Sequence, residues 1–338
     1  MSNKKQFAAI DIAKYVSALL VVCIHTYPFY EISKTFNLFW LSTICRLAVP
    51  FFFVTSAFFF YKKWNQEGVN SNELLWKYLK RLAKLYIVWT ILYIPYSIWD
   101  RWDGGFSFIS LLSYIRDFLI NGSYYHLWFL PALMLSVALV SYIYQKKGLK
   151  FVLKVSLGLY IFGYLVNIYG PIWQDMPIVQ IFYGFFIKVF GTARNGLFFG
   201  PIYVSIGLLL SKTRRLPKRV NIVGFAFAMA GVIAEAFVYN QIGVLRELSS
   251  MFLFLVPATY FLVNFLLKVS LPYKPIYKKL RVDSSLIYTS HILFVKIFLV
   301  IFPYAHLVVY FLTLACAQAL ASFVRKNKER FPILKNLM

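Results

Sequence analysis

Charge is scarce in this chain and lopsided: only 14% of its 338 residues are charged, and 12 acids face 36 lysines and arginines. It also lacks the landmarks of several chemistries. There is no G-x-S-x-G elbow, no H-E-x-x-H pair and no glycine-rich phosphate loop, which sets aside the common hydrolase, zinc and nucleotidase designs. Internal repeats are not evident, and that weakens a transporter built from inverted repeats. The three cysteines, Cys23, Cys45 and Cys316, are odd in number and sit in apolar runs. They read as small buried hydrophobes, so no disulfide framework and no metal site are expected. No small-residue cleavage pattern follows the basic start MSNKKQ, so the first apolar run is expected to remain as a signal-anchor span.

What the chain has in abundance is apolar surface. At 60% hydrophobic and 20% aromatic residues, with 35 Phe and 25 Tyr, it exceeds what one water-soluble core could hide. Adequate apolar runs fall at roughly 10–30, 38–60, 82–100, 126–145, 151–169, 196–211, 220–240, 248–268, 284–302 and 304–324. The expectation is an all-α polytopic helix bundle of about ten spans, forming one integral-membrane domain over residues 1–338. The formal charge of +24 then has a simple origin. With the N-terminus inside, about 27 of the 36 basic residues fall in cytoplasmic segments and about 6 in the opposite ones. Both termini are then cytoplasmic, the site is a multi-pass cytoplasmic (inner) membrane, and the charge implies acidic membrane lipids rather than nucleic acid.

The first run carries the residues hardest to explain as filler. In DIAKYVSALLVVCIH, Lys14 and His25 stand within about 20° of each other on a helix and Asp11 within about 60° of both, while Lys14 and His25 are about 16 Å apart along the axis. A polar face turned into a protein-lined cavity accounts for all three. The alternative is an Asp11–Lys14 pair near the surface and a histidine bonded to a neighbouring helix. Arg46 lies inside the second run, where insertion costs about 2.5–3.5 kcal/mol, so it needs an anion or a carbonyl; Asp11 is one candidate partner. Lys77, Lys80, Arg81 and Lys84 form one stripe suited to phosphate or to lipid headgroups. SLLSYIRDFLI reads as a short interfacial helix. His126 and Trp128 stand at the outer end of the fourth run, and the segment YGPIWQDMPIVQIFYGFFIKVFGTARNG reads as a long external loop, a lid or acceptor-binding element. Later polar residues are Arg194, Glu235 in mid-span, Asp283, Ser285 and His291; Asp283 and His291 fall about 80° apart on one helix.

Taken together these residues resemble the acyltransferase-3 family of membrane O-acyltransferases. The features are a basic residue, ten residues and a histidine (Lys14 to His25), Pro-Phe-Phe-Phe-x-x-Ser (Pro50 to Ser56), the basic KRLAK stretch, HLWFLPAL, RNGLFF from Arg194 and S-L-I-Y-x-x-H (Ser285 to His291). HLWFLPAL, RNGLFFGP and DSSLIYTSH are most similar to the membrane domain of VanT-type serine racemases, and the short basic tail leads to the expectation that no racemase domain follows. Lys14 departs from the usual arginine and loses its bidentate fork.

The resemblance implies transfer of an acyl group, usually acetyl, from cytosolic acyl-CoA as donor substrate, with no permanently bound cofactor. The implied acceptor is a hydroxyl of an envelope glycan or lipid-linked saccharide. Imidazole matches the base this chemistry needs, which points to His25 with Asp11 and Lys14, and Arg46 is an available donor to the oxyanion. Lys80, Arg81 and Lys84 are expected to hold the donor's phosphates. His126, Trp128, Arg194, Glu235, Ser285 and His291 form the expected substrate-binding set, with His126 and His291 as second candidates for base or acyl carrier. The rival is a transport module for a small amino acid such as serine, centred on Arg46 and Glu235.

Overall fold

A computed structural model describes the chain apart from residues 1–6, 103–106, 174–175, 246–248 and 273. Every regular element among the described residues is helical. In order these are α1 (Ala8–Thr26), α2 (Lys34–Ser42), a 3-10 turn (Cys45–Leu47), α3 (Ala48–Trp64), α4 (Ser71–Trp102), α5 (Phe108–Ile120) and α6 (Phe129–Trp173). They continue with α7 (Pro177–Phe190), α8 (Gly200–Lys212), α9 (Lys218–Gln241), α10 (Leu255–Leu266), α11 (Pro275–Ile301), α12 (His306–Asn327) and a closing 3-10 segment (Pro332–Leu337). Among the described residues, seven helical stretches are long and apolar enough to cross a bilayer. Two compact units emerge: residues 1–55 with 213–338, and residues 56–212.

The first unit is built on α1, α11 and α12. Near their starts Asp11 meets Arg281, and further along His25 meets His291, so α1 and α11 run parallel. At the start of α12 His306 reaches the Thr26 carbonyl, and near its end Gln318 reaches Tyr15, so α12 runs against α1. Ala18, Val22, Ile287 and Ala317 fill the seam, with Tyr15, Phe52, Phe294 and Tyr310 packed on it. Small residues at such a seam let helix backbones approach closely. Tyr27 ends α1 in the left-handed region, with φ 54, and its N–H returns to Cys23 O. The chain then turns through Pro28 to Ser33, whose hydroxyl accepts from Phe36 N and starts α2. Pro50 falls in the first turn of α3, where its missing N–H is tolerated.

In the second unit α6 packs on α4 and α8. Buried hydroxyls tie α6 to its neighbours: Tyr61 of α3 to Ser141 at 2.9 Å, Ser156 to Ser205 of α8 at 2.8 Å and Ser136 to the Gly196 carbonyl ahead of α8 at 2.8 Å. Polar groups facing apolar surroundings must pair in this way. The sequence places two spans over 126–169, and the structure joins them in α6 with a break at Gly148 (φ 76, ψ 177). No neighbouring atom crowds that glycine, so its role is the backbone conformation itself.

The KRLAK stretch, at the entry to the apolar run from 82, is part of α4, which starts at Ser71. One expectation changes. The long external loop is largely α7: Ile178, Ile181, Phe182 and Phe185 repeat at helical spacing, Pro177 occupies the first turn and Gly191 closes it. Gln174 and Asp175 of that segment lie outside the described residues, as do the basic start MSNKKQ and Asp103 to Phe106. Arg116 of α5 donates to the Lys188 carbonyl at 3.1 Å, and Asn121 to that of Phe190 at 2.8 Å. These bonds satisfy the last carbonyls of α7. α5 itself buries no residue.

Gly122 supplies a test of this packing. Its φ is +92, and an added Cβ would meet Trp128 N at 2.5 Å. Gly122→Ala is therefore expected to destabilise the fold by about 1–3 kcal/mol, seen as a lowered thermal midpoint of the purified protein.

Candidate active site

The helix pair α1 and α11 brings together two of the residues singled out from the sequence. The imidazoles of His25 and His291 stand 5.2 Å apart between ring centroids, tilted by 36°. His291 is fully buried and His25 half-buried. His291 Nδ1 lies 2.8 Å from the Tyr288 carbonyl and 3.1 Å from that of Ile287. Carbonyl oxygens only accept, so Nδ1 carries the hydrogen and the lone pair of the neutral ring is on Nε2. The helix's own backbone thus fixes the tautomer.

Toward the start of the same helices lies a polar network that the sequence suggested only in part, through Asp283. Its carboxylate is 3% exposed as a residue and accepts a fork from Arg325, with Nε to Oδ1 at 2.9 Å and Nη2 to Oδ2 at 3.4 Å. Gln318 Nε2 adds a bond at 3.0 Å to Oδ2, and the Tyr15 hydroxyl donates to Gln318 Oε1 at 2.8 Å. Arg325 and Gln318 escape sequence reasoning because Arg325 looks like one more residue of a basic tail. Asp11, expected to pair with Lys14 or Arg46, lies 3.7 Å from Arg281. Lys14 is half-buried on the polar stripe of α1.

Arg46 does not sit in mid-helix. It is buried in the 3-10 turn that separates α2 from α3, a turn that packs on α1, α2 and α10. Ser285 is half-buried on α11, its carbonyl accepting from Thr289. Glu235 has structural bonds: its two oxygens accept from Leu253 N and Phe254 N, both at 2.9 Å, and Oε1 also from Tyr239. It caps the otherwise unsatisfied start of α10. The fourth histidine, His306, passed over in the sequence, holds α12 to α1 through Thr26 and donates its backbone N–H to Glu31 Oε1.

The remaining residues belong to the second unit. His126 is almost completely buried, wrapped by Tyr93 at 4.6 Å, Tyr124 at 5.8 Å and Tyr125 at 5.9 Å between centroids. Tyr124 donates to Asp100 at 2.7 Å; burial first, and then that carboxylate, push its phenol well above the usual range, so it stays protonated. Arg194 stacks on Trp128 at 4.9 Å. Asn195 beside it accepts from Leu197 N and Phe198 N and so shapes the turn into α8. Lys80, Arg81 and Lys84 are exposed along α4, Lys80 over the Trp76 ring and Arg81 over that of Tyr78. Lys77, of the same stripe, pairs instead with Glu73.

The Asp283–Arg325 fork should show itself as coupling. Removing one partner of a pair this enclosed costs about 3 kcal/mol, because the other charge is left behind. Asp283→Asn and Arg325→Gln are each expected to lower stability by that order in denaturant unfolding. The double variant should lose clearly less than the sum, and strict additivity would show the two are not coupled.

Among curated proteins, the chain is 28% identical to an amino-acid racemase of Enterococcus faecalis, over 79% of this chain and 37% of the relative. A second amino-acid racemase of that organism is 27% identical over 98% and 48%, and a serine/alanine racemase of Enterococcus gallinarum is 28% identical over 79% and 38%. The chain thus spans less than half the length of these relatives. No solved structure matches it. The Acyl_transf_3 family model, described as an acyltransferase domain, matches residues 7–324, and the chain belongs to that family.

Proposed function

We propose that the protein is a membrane O-acyltransferase that moves an acyl group, acetyl foremost, from cytosolic acyl-CoA to a hydroxyl of an envelope glycan or lipid-linked saccharide. Family membership supports the reaction class, and the His25–His291 pair is the observation that carries the assignment of residues. His25 accepts the proton of the acceptor hydroxyl as its oxygen attacks the thioester carbonyl. The imidazolium then returns a proton to the departing CoA sulfur. His291, with its Nδ1–H committed to the backbone, offers Nε2 to orient the His25 ring, the part a carboxylate plays in other acyl-transfer sites. Arg46 donates to the developing oxyanion, and Asp11 and Lys14 set the charge along the stripe leading to the base. Lys80, Arg81 and Lys84 hold the donor's phosphates; His126, Trp128, Arg194 and Ser285 serve the acceptor.

The same reading includes ten crossings of the cytoplasmic membrane with both termini inside. At ~1.5 Å per residue the 42 residues of Phe129–Gly170 far exceed one bilayer core of ~30 Å, so α6 makes two crossings about Gly148. The apolar runs 196–211 and 248–268, which hold most of the shorter α8 and all of α10, supply the other two in this reading. Transport of a small amino acid such as serine is the second reading; the relatives are named as amino-acid and serine/alanine racemases, which links them to small amino acids but not to moving them. Against it, the carboxylate of Glu235 is occupied by the backbone of α10's start.

His25→Ala is expected to slow acyl transfer by about 10²–10⁴-fold with the amount of folded protein unchanged, whereas Lys14→Arg should be tolerated. Turnover of acyl donor at the wild-type rate by purified His25→Ala protein would return the transport reading. Arg81→Glu is expected to weaken CoA binding by about 1.5–3 kcal/mol, measured by titration of the purified protein; unchanged affinity would assign the stripe to lipid headgroups.

A further inference from the structure

Two of the three cysteines, 22 positions apart in the chain, meet in space. Cys23 on α1 and Cys45 in the 3-10 turn are both free, both buried, and members of one apolar cluster with Ile24 and Leu41. Their thiols are in hydrogen-bonding contact, and the Tyr310 hydroxyl touches the Cys23 sulfur. Trp40 and Tyr310 cover the pair. The third cysteine, Cys316 on α12, is outside this cluster and half-exposed. Isolated cysteines serve as small hydrophobes without any need to meet; two thiols in contact across two elements have a chemistry of their own.

We propose that Cys23 and Cys45 are a redox-active dithiol which a peroxide closes into a disulfide, fastening α1 to the 3-10 turn. The oxidant is small and uncharged, as passage through an apolar cluster requires. One sulfur attacks a peroxide oxygen, giving a sulfenic acid and releasing the other oxygen as water. The second sulfur then attacks the sulfenic sulfur, the S–S bond forms and a second water leaves. Two thiols and one hydrogen peroxide thus become one disulfide and two waters, with the sulfurs oxidised and the peroxide reduced. The bond fixes the spacing of the two elements that carry His25, two residues beyond Cys23, and Arg46, next to Cys45. It is independent of the acyl-transfer reading, because it concerns the thiols alone.

The test uses the purified full chain in detergent, treated with hydrogen peroxide, denatured, alkylated and digested for mass spectrometry. Free thiols are expected to fall from three per chain to one. The Cys23 and Cys45 peptides should appear joined, two hydrogens lighter and released by dithiothreitol, while Cys316 stays alkylated. The thermal midpoint should rise on oxidation in the wild type and not in Cys45→Ala. Overturning results are full alkylation of Cys23 and Cys45 after treatment, their over-oxidation without a joined peptide, or a link to Cys316. The mass measurement is made on the wild-type chain, so poor folding of Cys45→Ala leaves it intact.

Discussion

A carboxylate enclosed by apolar helices has to be met by a cation and by hydrogen-bond donors, and Asp283 sets that requirement for the first unit. Its partners come from elsewhere in the chain: Arg325 and Gln318 from α12, with Tyr15 of α1 behind Gln318. These bonds act only if α12 lies antiparallel to α11 and α1 lies against both. Lipid tails give apolar helices little reason to prefer each other over the bilayer, so directional bonds of this kind choose the pairing. The apolar seam of Ala18, Val22, Ile287 and Ala317 then closes behind them.

Once α1 and α11 are held parallel, the histidine pair follows at the other end of the seam. His291 is fixed twice, by burial and by the two carbonyls that take its Nδ1–H. A histidine that orients another ring needs a defined tautomer as well as a position, and the backbone of α11 gives His291 both. The break between α2 and α3 has a related consequence. A continuous helix there would carry Arg46 on a lipid-length rod, whereas the 3-10 turn sets it, buried, against α1 and α10.

The second unit uses a different means of cohesion. Hydroxyl pairs such as Tyr61–Ser141 and Ser156–Ser205 join its helices, and glycines at Gly122 and Gly196 allow close backbone approach. Aromatic rings enclose His126, while α5 buries no residue, α7 buries only Phe186, and the two are joined by Arg116 and Asn121. Ile178, Ile181 and Phe185 of α7 are exposed, an apolar surface that would be a liability in water.

The sequence by itself determined the class. An apolar content of 60%, runs long enough to span and basic residues gathered in alternate segments leave an all-helical membrane protein as the consistent reading. It also determined the polar stripe of Asp11, Lys14 and His25, and the shared face of Asp283 and His291, because helical periodicity is a local property. Partners were not local. That Asp11 meets Arg281, that Asp283 meets Arg325 and that Cys23 meets Cys45 depended on which helices pack and in which direction. Glu235 shows the limit best: mid-span position marks it as unusual, but only the fold decided that the unsatisfied N–H groups at the start of α10 lie within its reach. Spacing along one chain fixes angles on a helix, whereas contact between helices is set by packing and by the need to satisfy buried charge.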